Sequence, residues 1–506
     1  METYSLFING EFIPAAAGET FESINPFNGE VTGLFARGQA ADVDKAVKAA
    51  RKAFDEGPWP RMTGLERQAV MQQIADKLEA HAKELTAMEI ADSGSTFRKA
   101  KGDLWNCNKH FRYFVDLAAS DLSESLDALS HQGVSNNRIY REPIGVCAQI
   151  IPWNFPLQMA IWKLGPALAA GNTVVLKPAE ETPLSAMAFA KLLAETDLPP
   201  GVINIVTGFG KEAGEALATH PLVDKIAFTG STEIGKHIMA CAASGMKKVT
   251  LECGGKSANI VLDDADLPMA VDGSLFAIFF HQGQCCTAGS RLFLQDGIYD
   301  EFMTRFLEKA RQIKLGDPAD KATDMGPLVS KKQQERVLKY IETGKKEGAE
   351  CILGGNIPQD ASLAHGCFVE PTVFVNVDNT MAIAREEIFG PVLVVQRFKT
   401  LDEVIQKAND SIYGLAGAVW SQDAKKALSV AKALRTGTVW INEYHLVSEK
   451  APFGGYKQSG IGRELGLEGL KEYTEIKHIH VDEIGDRQKK FWYDSVLASP
   501  KPVAAG

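Results

Sequence analysis

The sequence predicts an α/β protein of two doubly wound lobes with a small β arm for assembly, and three observations predict it. Strand-like apolar runs alternate with amphipathic stretches in one series from Asn172 to Leu251 and in a second from Val271 to Ile441. That is the rhythm of parallel sheets covered by helices. At 506 residues the chain exceeds one ordinary hydrophobic core, so two or three domains are expected. Between an opening helical layer and the first series lies a polar, loosely alternating stretch, Leu122 to Glu142, which suits a projecting strand pair better than either lobe.

In chain order, Tyr4 to Ile13 alternates around Asn9-Gly10, a hairpin signal at a sheet edge. Apolar residues recur at helical spacing over Asp42 to Phe54, Leu65 to Asp92 and Lys99 to Ala118, so three helices are expected there, with His81 and Cys107 as packing or surface residues. Val134 to Pro143 reads as part of the exposed strand pair. The first lobe then follows as strands Asn172–Leu176, Val202–Val206, Lys225–Phe228 and Lys248–Leu251 alternating with helices Pro183–Glu195, Lys211–His220 and Thr232–Ala243. Ligands of such a sheet bind beyond the carboxyl ends of its strands, which here are the loops 177–182, 207–210 and 229–235.

The second lobe begins with helix Val271–Phe280 and strand Arg291–Leu294, continues through helices Tyr299–Lys314 and Lys331–Glu347, and ends with strands Val392–Phe398, Ala416–Trp420 and Gly437–Ile441 around helices Leu401–Ala408 and Ala424–Leu434. A last strand, Ile476 to Val481, precedes a tail whose Phe491-Trp492-Tyr493 cluster either anchors on a neighbouring subunit or covers its own core.

Composition narrows the function. The net charge of −10 is spread without a basic block, which weighs against nucleic acid and anionic membranes and favours a small-molecule substrate. Hydrophobic residues at 45% and charged residues at 23% are those of a soluble globular protein. The eight cysteines have no regular spacing, no CxxC pair and no Cys/His ligand cluster, so free thiols in a reducing compartment and no metal site are expected. The amino terminus lacks a basic stretch followed by an apolar core, and no run of about 18 apolar residues occurs. A cytoplasmic location is the expectation.

Chemistry concentrates in a few stretches. FFHQGQCCTAGSR, Phe279 to Arg291, presents Cys285 and Cys286 among small and polar residues, as a nucleophile is presented; two buried small hydrophobes would read the same way. VTLECGGKS, Val249 to Ser257, ends a strand on Glu252 before a glycine pair, which places a carboxylate for base work. Gly230-Ser231-Thr232 joins a strand to a helix, where backbone N–H groups favour an anion, although many such turns bind nothing. Lys177 and Glu180 in LKPAEETP suit the hydroxyls of a ribose, or form a solvated loop. In PWNFP, Asn154 stands between Pro152 and Pro156, able to donate to a developing oxyanion or to cap the following helix.

Together, PWNFP, LKPAE, FTGSTEIG, LECGGKS, GQCCTAGSR, EEIFGPV and APFGGYKQSGIGRE stand in the order they have in the aldehyde dehydrogenase superfamily, which the sequence resembles from the first hairpin to Val481. The resemblance implies a dinucleotide-binding domain from residues 1–121 and 143–253, a catalytic domain from 254–460, and an oligomerisation arm and tail from 122–142 and 461–506. It implies Cys286 as nucleophile, Glu252 as base, Asn154 with the Cys286 N–H as oxyanion hole, and Glu464 as an accessory proton relay. It assigns Lys177 and Glu180 to the adenosine ribose, Ser231 to the pyrophosphate, Glu387 to the nicotinamide ribose, and Ile151, Pro152, Trp153, Gly210, Gly230 and Phe389 to the same groove. Phe155, Met159, Trp162, Phe280, Val447 and Phe453 are implied to line the substrate tunnel, with His445 the one polar residue nearby, recognising a hydroxyl or facing solvent. NAD is expected over NADP, because Glu180 would meet a ribose phosphate with like charge. No metal is implied, and the partners expected are an aldehyde and further copies of the chain, as a homodimer or homotetramer.

The apolar tunnel favours a neutral aliphatic or aromatic aldehyde; betaine aldehyde is the rival, since three aromatic rings could face a cation. Acyl transfer to coenzyme A is disfavoured by the presence of Glu252, and a non-catalytic relative of the fold by the presence of both thiol and base. His281 departs from the family's usual asparagine.

Overall fold

The computed structural model describes residues 2–126 and 135–496. Its first large sheet has eight strands, in the order Gly460–Ile461, Lys248–Glu252, Lys225–Thr229, Val146–Ile150, Thr173–Lys177, Ile203–Ile205, Leu6–Ile8 and Glu11–Ile13. The five from Lys248 to Ile205 run parallel, with Lys225 beside Cys147 and Val146 beside Thr173. The chain starts at Val146–Ile150, builds outward to Ile205, and returns to the other side at Lys225. The sheet therefore switches direction between the ends of Ile150 and Thr229, where a crevice opens at the carboxyl edge.

The second sheet has seven strands, in the order Glu350–Leu353, Thr372–Val375, Val392–Phe398, Arg291–Gln295, Ala258–Val261, Ala416–Trp420 and Thr438–Ile441. The α/β architecture of the sequence reading is thus present. The strands that escaped that reading include Thr20–Ile24, Val31–Ala36, Glu350–Leu353, Thr372–Val375, Gly460–Ile461, Val146–Ile150 and Ala258–Val261. The last two are central in their sheets and buried on both faces, so they show short apolar runs rather than alternation.

Other boundaries differ for local reasons. The expected helix Leu65–Asp92 is two helices, Gly64–Ala80 and Ala82–Ser93, broken at His81, whose ring nitrogen Nδ1 bonds the Lys77 carbonyl at 3.0 Å. The first of them starts at a capping box, Thr63 with Glu66. The expected helix Lys211–His220 is a wide turn, Gly210–Gly214, followed by the short helix Glu215–Thr219. Tyr4 lies outside the hairpin, in a strand that pairs in parallel with Val31–Ala36. The helix expected from Tyr299 to Lys314 ends at Ala310, and the one expected from Val271 starts at Leu267, capped by Asp266.

The opening helical layer holds the cofactor-side core. Phe111 and Phe114 of helix Phe97–Ala118 are fully buried against helix Pro156–Ala169, and a Cβ on Gly165 would stand 2.6 Å from the Phe114 ring. Cys107 is buried packing, as expected.

The arm is a separate three-stranded sheet. Thr474–Asp482 runs antiparallel to Ser135–Pro143, from Thr474 opposite Pro143 to Asp482 opposite Ser135, and Glu124–Leu126 adds the third strand. Residues 127–134 and 497–506, which include Val134 and the last part of the tail, lie outside the described residues. Phe491 and Tyr493 are about half exposed (55% and 50%), so the aromatic cluster does not cover the core. Among the described residues no helix is long and apolar enough to cross a membrane.

Candidate active site

A cavity of about 1200 Å³ opens where the two large sheets face each other. From the first sheet it receives the loops that follow the strands ending at Ile150, Thr229 and Glu252. From the second it receives segments that precede strands, those of Cys285 to Thr287 ahead of Arg291 and of Glu386 to Phe389 ahead of Val392.

The thiols sit on a bent segment. His281, Gln282 and Gly283 have φ of 49°, 57° and 71°, a left-handed run that only glycine adopts freely. Two non-glycine residues held there cost of order 1–3 kcal/mol each. Asparagine tolerates this region better than histidine does, which gives a physical reason for the family's usual residue at His281. The His281 ring is buried and tilted against Phe155, and burial together with nearby Lys99 lowers its pKa well below the ordinary value, so it is neutral.

The two thiols touch and both line the cavity, but their other partners differ. Cys285 is 7% exposed, and its Sγ lies 3.2 Å from Thr287 Oγ1, which lies 3.0 Å from His445 Nδ1. His445 Nε2 faces the Ala277 carbonyl at 3.1 Å. Since a carbonyl only accepts, Nε2 carries the hydrogen, and Thr287 Oγ1 bridges His445 Nδ1 and the Cys285 sulfur. Both ring nitrogens of His445 are thus engaged within the protein, while the partly exposed ring lines the cavity. Cys286 is the more exposed sulfur and lines the cavity. Its hydrogen bond with Cys285, its burial and the carboxylates of Glu387 and Glu252 hold its thiol well above the ordinary pKa.

The glycine pair of LECGGKS now has a cause. A Cβ on Gly254 would lie 2.2 Å from Glu387 Oε2, and one on Gly255 would lie 2.4 Å from the Cys286 carbonyl oxygen. The Gly255 N–H also donates to Glu387 Oε1 at 3.0 Å. Only a bare backbone lets the Glu252 strand end, the thiol segment and Glu387 meet.

Asn154 donates its Nδ2 to the Gln284 carbonyl at 2.9 Å, which leaves the second amide hydrogen free. Its own carbonyl accepts from Lys99 Nζ at 2.8 Å, and Lys99 pairs with Asp103 at 2.7 Å. Glu252 ends its strand buried, and neither carboxylate oxygen has a hydrogen-bond partner among the described residues. Burial first, and Glu464 second, raise its pKa well above the ordinary carboxylate range. Glu464 is ion-paired with Lys163, which also donates to Thr229 Oγ1 at 2.6 Å. Lys163 escaped the sequence reading, and its signal was there: it is the single charge in the otherwise apolar helix PLQMAIWKLGPALA.

Of the implied cofactor residues, Pro152, Trp153, Gly230, Ser231, Glu387 and Phe389 line the cavity, whereas Ile151, Lys177, Glu180 and Gly210 do not. Ser231 caps the twelve-residue helix Thr232–Ala243, its Oγ accepting from the Ile234 N–H. Lys177 is buried, bonded to the Pro178 carbonyl at 2.8 Å and paired with Glu180 at 3.3 Å. Trp153 and Phe389 meet edge to face at 5.2 Å. Burial raises Glu387 to about 7.

Phe155, Met159, Trp162, Phe280, Val447 and Phe453 all line the cavity. Trp162 is fixed by its Nε1 donating to His110 Nδ1 at 2.8 Å, and burial lowers His110 to about 4, which keeps that acceptor unprotonated. Lys99 Nζ stands 4.1 Å over the Phe155 ring.

A thiol, a buried carboxylate and a free amide hydrogen thus share one cavity, in a chain whose residues 12–479 match the sequence profile of the "Aldehyde dehydrogenase family". The chain belongs to the aldehyde dehydrogenase family. It is 49% identical to the mitochondrial aldehyde dehydrogenase of Homo sapiens over 479 residues, 94% of this chain and 91% of that one. It is 48% identical to the betaine aldehyde dehydrogenase of Bacillus subtilis over 476 residues, 94% of this chain and 97% of that one. Among solved structures, an NAD+ complex of an aldehyde dehydrogenase from Bacillus cereus superposes with a TM-score of 0.92 at 49% identity, covering 95% of this chain and 97% of that one. The betaine aldehyde dehydrogenase of Staphylococcus aureus, also with NAD+, gives 0.93 at 44%, covering 96% and 95%.

One cluster lies apart from this cavity. Glu215, His237 and Cys241 bring a carboxylate, an imidazole and a thiol within 4.8 Å of one another. The sequence reading did not single out this grouping, whose members Glu215 and His237 lie 22 residues apart in the chain.

Proposed function

We propose that this enzyme oxidises a neutral aliphatic or aromatic aldehyde to its carboxylic acid with NAD, through a thioester on Cys286. The observation that carries the reading is the convergence of Cys286, Asn154 and Glu252 on one largely apolar cavity. The residues present fit a dinucleotide: a helix amino terminus capped by Ser231 opens on the cavity, and Glu180, one-third exposed beside Lys177, has the acceptor chemistry a ribose diol requires. Lys177 and Glu180 would hold the adenosine ribose, Gly230 and Ser231 the pyrophosphate, and Glu387 the second ribose. Trp153 and Phe389 would flank the nicotinamide, with Ile151, Pro152 and Gly210 shaping the backbone around the groove. Bound there, NAD supplies the acceptor for the hydride that leaves the substrate carbon.

The chain's own residues do the rest. Cys286, its thiol proton lost to water in the open cavity, bonds through Sγ to the aldehyde carbon, and the oxygen, now carrying the charge, is held by the free Asn154 amide hydrogen and the Cys286 N–H. Loss of hydride leaves a thioester. Glu252 takes a proton from the water that attacks it, the carbon–sulfur bond breaks, and the acid departs. Glu464 and Lys163 form the path by which Glu252 passes its proton on. The buried, partnerless Glu252 carboxylate supports hydrolysis over transfer to coenzyme A.

The substrate reading rests on charge as well as shape. Betaine aldehyde is the second reading, favoured by the similarity to proteins of that name and by the rings of Phe155, Trp162 and Phe453. Against it, one face of Phe155 already carries Lys99, and Asp103, which also lines the pocket, is paired with that lysine. A distal carboxylate fares no better, since Lys99 is spoken for by Asp103 and Asn154, and an unpaired charge in the tunnel costs several kcal/mol. A neutral chain gains roughly 25 cal/mol per Å² of apolar surface buried. NADH absorbance over a panel of aldehydes tests this: kcat/KM should rise with chain length or ring size and exceed the values for succinic semialdehyde and betaine aldehyde. A preference for either charged substrate would overturn it. NADP should be the poorer cofactor, and Glu180→Ser should narrow the gap.

The arm strand Thr474–Asp482 exposes Ile476, Ile479 and Val481, which supports assembly of two or four copies through it. A cytoplasmic location accords with the free thiols and the acidic balance of the chain.

A further inference from the structure

Outside the catalytic cavity, the cofactor lobe carries one cluster that the aldehyde chemistry does not use. His237 and Cys241 stand four residues apart on one face of helix Thr232–Ala243, and Glu215 reaches them from the start of the next helix over. Glu215 Oε2 lies 2.6 Å from His237 Nε2, Cys241 Sγ lies 3.5 Å from the same nitrogen, and Cys241 Sγ lies 3.9 Å from Glu215 Oε1.

The geometry excludes the obvious alternative for a Cys, a His and an acid. In a nucleophile–base–acid relay the thiol and the carboxylate engage opposite nitrogens of the ring, one to give up a proton and the other to orient the imidazole. Here both approach Nε2, so the ring cannot accept from one while donating to the other. Three atoms directed at a common point are instead the arrangement of ligands around an ion. Bonds of about 2.0–2.3 Å in a tetrahedron put ligand atoms roughly 3.3–3.8 Å apart. The Cys241–His237 separation is at that value already, the 3.9 Å from Cys241 Sγ to Glu215 Oε1 lies just beyond it, and the Glu215–His237 pair, joined by a hydrogen bond in the absence of metal, must open. His237 and Glu215 are about half exposed, at 52% and 45%, so they can make that adjustment, and a fourth position faces water.

We propose that Glu215, His237 and Cys241 form a site for one divalent transition-metal ion of the zinc class, with one carboxylate oxygen, one imidazole nitrogen and one thiolate as ligands and water as the fourth. Thiolate and imidazole select such ions over magnesium or calcium. Binding releases the thiol proton, and the hydrogen that Nε2 donates to Glu215 leaves that nitrogen, the neutral ring carrying its hydrogen on Nδ1 once the metal is bound; no electron is transferred. The ion ties helix Glu215–Thr219 to the helix whose amino terminus carries Ser231, so it braces the cofactor lobe from the side away from the crevice.

The test uses the full-length protein with Cys285→Ser and Cys286→Ser, which removes the catalytic thiols as competing ligands. Cobalt(II) titration should produce a thiolate-to-cobalt charge-transfer band and the intense visible bands of a four-coordinate ion. Equilibrium dialysis with zinc should give one ion per chain at micromolar concentration. Adding Cys241→Ser should remove the band and the bound ion, and His237→Gln or Glu215→Gln should weaken binding at least tenfold. In the otherwise unaltered enzyme Cys241→Ser should leave aldehyde oxidation unchanged, which shows that the fold is intact. No ion bound at micromolar zinc, or a band and stoichiometry that survive Cys241→Ser, would overturn the proposal.

Discussion

The two large sheets meet the same cavity with opposite ends. The first presents the carboxyl ends of its parallel strands, with a helix amino terminus at Ser231, and this is the side suited to an anionic cofactor. The second presents the segments that lead into its strands, and there the left-handed run at His281, Gln282 and Gly283 turns Cys286 toward the cavity. One side is ordinary sheet geometry that any βα unit supplies. The other is strained backbone held by its neighbours, with glycines where side chains would collide. The contrast separates binding, which the fold offers cheaply, from nucleophile presentation, which needs a particular bend.

If that contrast is right, the largest effect falls at the bend. Cys286→Ala should lower kcat by roughly a thousandfold or more, while Cys285→Ala, whose sulfur contacts Thr287 and Cys286, should keep most of the activity. Equal losses would erase the distinction between the two thiols. Next comes the buried pair at the cavity wall. Lys163→Met leaves Glu464 charged and unpaired, and should cost about 3–5 kcal/mol in denaturant unfolding; the double variant Lys163→Met with Glu464→Gln should recover most of it. A double variant no more stable than the single one would mean the pair is not the source of the loss. The smallest and most pointed test pairs two glycines. At Gly283, φ is 71° and a Cβ would lie 2.1 Å from the Gly390 carbonyl, whereas at Gly210 a Cβ meets nothing within 4 Å. Gly283→Ala should destabilise by more than about 1 kcal/mol and cut the rate, and Gly210→Ala should fall within about 0.5 kcal/mol of the unaltered enzyme.

Much of this was legible in the residues. The strand–helix rhythm gave both lobes, and the motifs brought Cys286, Glu252, Asn154 and the six tunnel residues into one cavity. What escaped was long-range or two-sided. Val146–Ile150 and Ala258–Val261 are buried on both faces and carry no alternation to read. Lys163 is a single charge whose partner, Glu464, lies far along the chain, and Lys99 reaches the distant Asn154 carbonyl as well as nearby Asp103. The engagement of His445 with Thr287 and Ala277 follows from the bend, and nothing in local spacing announces it. The break at His81 came from a side chain competing for a helix carbonyl, which periodicity does not register.

The central claim is a division of labour: Cys286 forms the thioester and Glu252 clears it. In the unaltered enzyme thioester hydrolysis should speed up as pH rises, because the Glu252 carboxyl, its pKa raised by burial and by Glu464, must lose its proton before it can accept one from water. Rapid mixing of Glu252→Gln with NAD and a good aldehyde isolates the first half of the cycle. The account predicts a burst of one NADH per active site followed by near-complete arrest, with the acyl group recoverable on Cys286. Full turnover, or no burst in a protein that still folds and binds NAD, would contradict it.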